Sequence, residues 1–129
     1  MENEANAGWI GVDFDGTLAK QEGWNGGIPG APVPAMVERV KAWLRDGKKV
    51  KIVTARVCPR DPEEATWHRR QVEIWCQENI GVKLEVTHGK DYQMVELWDD
   101  RAVRVIHNTG EPCCHGTSSM RFSMILRLE

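Results

Sequence analysis

A chain of 129 residues, 41% hydrophobic and 28% charged, has room for one domain with a real core, which excludes a disordered chain and two packed domains. Seventeen basic against nineteen acidic residues leave a net charge of −2, which excludes an overall electrostatic grip on nucleic acid or an anionic membrane. No apolar run approaches the roughly 20 residues that span a bilayer, and the acidic start lacks the basic-then-apolar order of a secretion signal. The expectation is a cytoplasmic protein with no membrane partner. The cysteines, Cys58, Cys76, Cys113 and Cys114, contain no C-x-x-C pair and read as free thiols rather than as bridges or a zinc site.

Trp9 to Asp13 reads as a short buried strand that ends in an acid. The stretch from Lys20 to Pro34 is rich in glycine and proline and reads as a loop. Met36, Val37, Val40, Trp43 and Leu44 then fall at helical spacing, with Pro34 near the start and Gly47 as the stop. Val50 to Val53 is a second strand. Asp61 caps a second helix, with Pro62 in its first turn and Glu64 completing a capping box; Val72, Trp75 and Cys76 form its apolar face, and Gly81 ends it. Leu84–Thr87, Met94–Trp98 and Val103–Ile106 are further expected strands.

This alternation is the grammar of an open parallel sheet with covering helices. One join strains it, because only six residues separate Thr87 from Met94, whereas a parallel crossover usually takes a dozen or more. Either one of those strands is misassigned or part of the segment from Lys90 onward is helical. Residues 1–110 form the expected single domain. Residues 111–129 are a C-terminal extension, in which the imperfect alternation of Arg121 to Leu128 reads as an edge strand or as disorder.

Open parallel sheets bind ligands at the carboxyl ends of their strands. The first strand ends in Asp13-Phe14-Asp15-Gly16-Thr17-Leu18, the second in Thr54-Ala55-Arg56 and the fourth in Asp99-Asp100-Arg101, with Lys90 in the loop before it. Four carboxylates on one rim repel and raise one another's pKa values unless a cation sits among them. Hard oxygen ligands suit Mg²⁺ better than zinc, and a hydroxyl and an ammonium beside the metal cradle phosphate oxygens. The chemistry this points to is phosphoryl transfer.

The arrangement resembles the haloacid dehalogenase superfamily from Trp9 to about Gly110. Its first motif, an apolar strand followed by D-x-D-G-T-L, is matched from Asp13 to Leu18; its second, an apolar strand ending in Thr or Ser, by Val50 to Thr54. Lys90 is the best-placed third-motif lysine, and Leu97-Trp98-Asp99-Asp100 matches the fourth. The resemblance implies an α/β fold: a Rossmann-like open, mainly parallel sheet with helices on both faces. It implies Asp13 as the nucleophile that forms an aspartyl-phosphate, and Asp15 as general acid and then base. Thr54 and Lys90 would hold the phosphoryl oxygens, with Gly16, Thr17, Ala55 and Arg56 lining the phosphate and substrate. The Mg²⁺ ligands would be Asp13, the Asp15 backbone carbonyl and Asp100, with Asp99 in support.

Asp15 favours phosphate esters over carbon–halogen bonds, since the superfamily's true dehalogenases lack that second acid. Neither inter-motif gap has room for the cap domain of many relatives. A capless site goes with large substrates or with closure by a partner copy in a homo-oligomer. The loop with Trp24-Asn25-Gly26-Gly27 looks like the family's flap, so that Trp24 either stacks on a base or sugar or packs against its own loop. The substrate is expected to be a phosphorylated small molecule, such as a nucleotide or sugar phosphate, or a nucleic-acid end.

Blander readings stand beside these. Lys90 alone is an ordinary surface lysine, Arg101 pairs within its Asp-Asp-Arg run, and His68 with Arg69 and Arg70 forms a solvated helix face. A phospho-aspartate receiver carries the same residue types but places its paired acids before the phospho-acceptor, and the order here runs against that. A catalytically inactive phosphate-binding scaffold is the other alternative; intact Asp13 and Asp15 weigh against it.

Overall fold

A computed structural model of the chain describes residues 8–23, 25–58 and 60–113. Four strands, β1 (Trp9–Asp13), β2 (Lys49–Val53), β3 (Glu85–Thr87) and β4 (Met94–Trp98), form one parallel sheet in the order β3-β2-β1-β4. β1 is the apolar central strand, with Trp9 opposite both Lys49 and Met94 and Asp13 opposite Val53. The fold is an open, Rossmann-like α/β sheet. Among the described residues no further folded unit is inserted between the strands, and no helix is long and apolar enough to cross a membrane.

Helix α1 (Pro34–Arg45) starts on a proline, whose fixed φ suits the first turn, and stops before Gly47 at φ +82°. In α2 (Pro62–Asn79) the Asp61 carboxylate accepts from the Glu64 amide at 3.3 Å, which satisfies one of the helix's free donors. The pleat sends Ile10, Val12, Val50, Ile52 and Val86 to one face, where Met36, Val37 and Val40 of α1 and Val72, Trp75 and Cys76 of α2 meet them. Two right-handed crossovers stepping the same way across a sheet put both helices on the same side. Both described helices contribute to the core on the sheet face that carries Ile10, Val12, Val50, Ile52 and Val86.

Residues 88–93 cross the other face. There the Trp9 indole donates to Asp91 at 2.9 Å, and the Lys51 ammonium lies 4.4 Å from the centre of the Trp9 ring. This corrects the expectation for that join: both strands exist, and the segment between them is not helical. β3 is only three residues long, and six extended residues reach about 20 Å, enough to pass across the sheet without a helix.

The expected strand Val103–Ile106 is not part of the sheet. Its backbone groups are spent locally, with Ile106 N–H donating to Glu111 at 2.8 Å and Cys113 N–H to Arg104 at 2.7 Å around a turn at Asn108. Only Val105 and Pro112 bridge, in an isolated antiparallel pair. Cys58, Cys76 and Cys113 are free thiols. The expectations for Cys114, Trp24 and Arg121–Leu128 lie outside the described residues.

Candidate metal and phosphate site

The loop leaving β1 is shaped by two fully buried anchors, Phe14 and Leu18. Phe14 packs edge-on against Trp75 at 5.0 Å, and its carbonyl accepts from Leu18 and Ala19, both at 2.9 Å. With positions 14 and 18 inside, Asp15, Gly16 and Thr17 turn toward the rim. Gly16 sits at φ +87°, and a Cβ there would lie 2.7 Å from an Asp100 carboxylate oxygen. Gly16→Ala is thus expected to cost about 1–2 kcal/mol from the left-handed backbone alone and to push Asp100 away. Thermal unfolding checks this; an unchanged melting temperature would contradict it.

Val12 pairs with Trp98, so the ends of β1 and β4 lie side by side. Asp13, Asp99 and Asp100 each offer a carboxylate oxygen within 4.8 Å of the others. The Thr17 hydroxyl is 3.2 Å from Asp13 Oδ2 and 3.2 Å from Asp100 Oδ1, and it accepts from the Asp100 amide at 3.1 Å. One hydroxyl proton serves only one of two carboxylates at a time. Burial, a hydrogen bond with Asp100 and the negative charge of Asp99 together push the Asp13 carboxyl up to about 7. Three crowded hard oxygens, one of them reluctant to ionise, form a donor set that suits a divalent cation of the Mg²⁺ class.

Asp15 faces away from this cluster. Arg56 grips it as a fork, Nε to Oδ2 at 2.7 Å and Nη2 to Oδ1 at 2.9 Å, while Nη1 donates to the Gly27 carbonyl. Such a planar, bidentate pair fixes orientation as well as distance. The fork is aimed by Thr54, the one buried polar residue among those described, whose amide donates to the Thr87 carbonyl at 2.8 Å. The Thr54 hydroxyl accepts from the Arg56 amide at 3.1 Å and opens a 3₁₀ turn over Ala55–Val57, keeping its own proton for another acceptor. Ala55 itself is exposed.

The glycine-rich loop is closed at its neck: Lys20 N–H donates to Ala31 at 2.7 Å, Val33 N–H to Leu18 at 2.8 Å and the Trp75 indole to Gly30 at 2.7 Å. Between it and α2 lies a cavity of about 290 Å³ that opens beside Asp15 and Arg56.

His68 departs from the expected solvated face. It is half-buried in the wall of this cavity, its Nδ1 3.4 Å from Arg56 Nη1 and its Nε2 3.9 Å from Glu64. The available signal was its place four residues before Val72, on the stripe that α2 buries. Arg101 also differs from its expected pairing: its backbone N–H, not its guanidinium, meets Asp99, at 2.7 Å.

The rim joins Asp13, Thr17, Asp99 and Asp100 in one cluster and Asp15, Thr54 and Arg56 in a second. Lys90 is in neither. It is exposed, forms no ion pair among the described residues, and directly precedes Asp91, which bonds Trp9 at the opposite end of β1 from Asp13.

No protein-family model and no curated protein matches this chain. The structure is similar to that of a conserved protein from Bacteroides thetaiotaomicron, with a TM-score of 0.52 at 19% identity over 96% of this chain and 93% of that one. Likeness at that identity extends to the fold, an open parallel α/β sheet.

Proposed function

We propose that the protein is a Mg²⁺-dependent phosphohydrolase of the haloacid dehalogenase type that cleaves phosphate monoesters through an aspartyl-phosphate on Asp13. One observation carries the reading: two functional clusters, a three-carboxylate cluster containing Asp13 and an arginine-clamped Asp15, lie on either side of one short loop. Asp13, Asp99 and Asp100 would hold the metal, which when bound supplies positive charge against the phosphate oxygens.

In the first step an Asp13 oxygen attacks phosphorus, the ester P–O bond breaks, and the departing oxygen leaves as an alcohol with a proton from Asp15, which would have to free one oxygen from the Arg56 fork and take up that proton from solvent beforehand. In the second, water gives a proton to Asp15 and attacks phosphorus, the bond to Asp13 breaks, and inorganic phosphate leaves. Arg56 is a positioning residue, since it touches Asp15 and not the reacting atoms. The unspent Thr54 hydroxyl proton suits a phosphoryl oxygen. Lys90 enters through the order of the motifs only.

The test is phosphate release from p-nitrophenyl phosphate and a panel of phosphorylated metabolites. Activity is expected with Mg²⁺, to vanish in EDTA and to return when Mg²⁺ is restored. Full activity in chelator, or none on any substrate with Mg²⁺, would overturn the assignment.

A further inference from the structure

We propose that residues 121–128 add to the outer edge of β4 as a fifth strand, within the same molecule, and cover an apolar patch that the described residues leave open. The inference does not depend on the phosphohydrolase reading.

β4 stands at the end of the sheet, and among the described residues no strand pairs with its outer side. Such an edge presents a row of N–H and C=O groups that another strand can use. It is also where exposed apolar side chains collect. Of the ten large hydrophobic residues exposed among those described, six fall between positions 92 and 106: Tyr92, Val95, Leu97, Val103, Val105 and Ile106. Apolar residues scattered singly over a surface need no partner, whereas a cluster of them marks an interaction site.

The two sides of β4 differ. Trp98 pairs with Val12, packs against Trp43 of α1 with ring centres 5.2 Å apart, and donates to Glu96 at 3.0 Å, so Glu96 and Trp98 share the helix side. Leu97 pairs with Gly11 and faces the other way, together with Val95. Leu97 is 41% and Val95 56% exposed. A matching strand therefore needs one apolar face and one face that suits a carboxylate. Residues 121–128 carry both: Phe122, Met124, Leu126 and Leu128 fall on one parity, Arg121 and Arg127 on the other. Laid beside β4, the first set meets Val95 and Leu97, and the arginines reach Glu96. A second copy fits worse, because full two-fold pairing of β4 with another β4 sets Glu96 against Glu96. The reach is sufficient. Cys113 N–H is bonded to Arg104, six residues past Trp98 and so at most about 20–22 Å of chain from it, while the eight steps from Cys113 to Arg121 span up to about 26–29 Å.

NMR on the full chain tests the proposal. Cross-strand NOEs between residues 121–128 and 94–98 are expected, and the β4 amides that face away from β1 are expected to exchange slowly. Leu126→Asp sets a charge into the apolar contact. It is expected to speed exchange of those outward amides about tenfold, while the amides shared by β1 and β2 keep their rates. Ser123→Ala, on the opposite parity, is expected to leave both sets unchanged. Absent cross-strand NOEs, or fast outward amides in wild type, would overturn the proposal even if Leu126→Asp failed to fold. Protection lost on dilution as a dimer dissociates would give the edge to a second copy, and protection that survives in folded Leu126→Asp protein would give it to another segment; either result overturns the proposal.

Discussion

Asp13→Asn is expected to abolish phosphate release and, in the same molecule, to raise the melting temperature of the metal-free protein at neutral pH. An amide of the same shape carries no nucleophilic oxygen, so turnover falls on the scale seen when a hydrolase loses its covalent nucleophile, roughly 10⁶-fold. The stability gain comes from electrostatics. Asp13 is partly buried beside Asp99 and Asp100, and its charge is resisted by both. An uncharged amide ends that repulsion and can donate to the Asp100 oxygen that now competes for the Thr17 hydroxyl. Activity assays and thermal unfolding in EDTA read the two effects separately. Wild-type rates in the variant would place the nucleophile elsewhere; a lowered melting temperature would show that Asp13 has a structural role that its charge does not explain.

The second large effect is a pH dependence whose direction depends on metal. The Asp13 carboxyl is raised from 3.8 to about 7. Between those values the folded chain keeps a proton that the unfolded chain has released. Proton uptake then favours the folded state, so this group's contribution to stability declines as pH rises through the window and levels off above about 7. On the proposed reading a divalent cation would replace the proton and bind the ionised cluster, so its affinity would grow over the same window. At a hundredfold excess over its dissociation constant it adds about 2.7 kcal/mol. Melting temperatures in EDTA and in Mg²⁺ are therefore expected to coincide near pH 4 and to diverge as pH rises, with Asp13→Asn removing most of the divergence. Parallel curves across the range would mean that the cluster does not bind the cation.

The elements legible in the sequence were those defined by their own residues. β1 and β4 end where the acids begin, and Asp61 and Pro62 open α2 as their side-chain chemistry requires. The D-x-D-G-T-L run declares its loop because Phe14 and Leu18 bury while Asp15 and Gly16 cannot. What stayed hidden depends on how separate elements dock. The grouping of Asp13 with Asp99 and Asp100 was expected from the resemblance, but that the Asp15 side chain turns away from it to Arg56 follows from how the loop after β1 meets the turn after β2, which no local pattern carries. His68 looked solvated beside two arginines, because the face of α2 that meets the glycine-rich loop is chosen by the packing of Val72 and Trp75. The run Val103–Ile106 has strand composition, yet a nearby turn at Asn108 captured its hydrogen bonds first.

The sheet order has a consequence for how the molecule comes to be. Thr17 and Asp100, which share a hydrogen bond, are 83 residues apart in the chain. β2 and β3, with both helices, join β1 from one side and are all synthesised before β4. β4 is the last of the four described strands to be synthesised, so the β1–β4 pairing cannot form before the other three strands exist. Until then Asp13 is a lone acid on an open edge, and no cation has a cage to enter. On the proposed reading, a cation held by Asp13, Asp99 and Asp100 would tie the last of these four strands to the first, and a nascent or damaged chain that had not seated β4 would have no site for it.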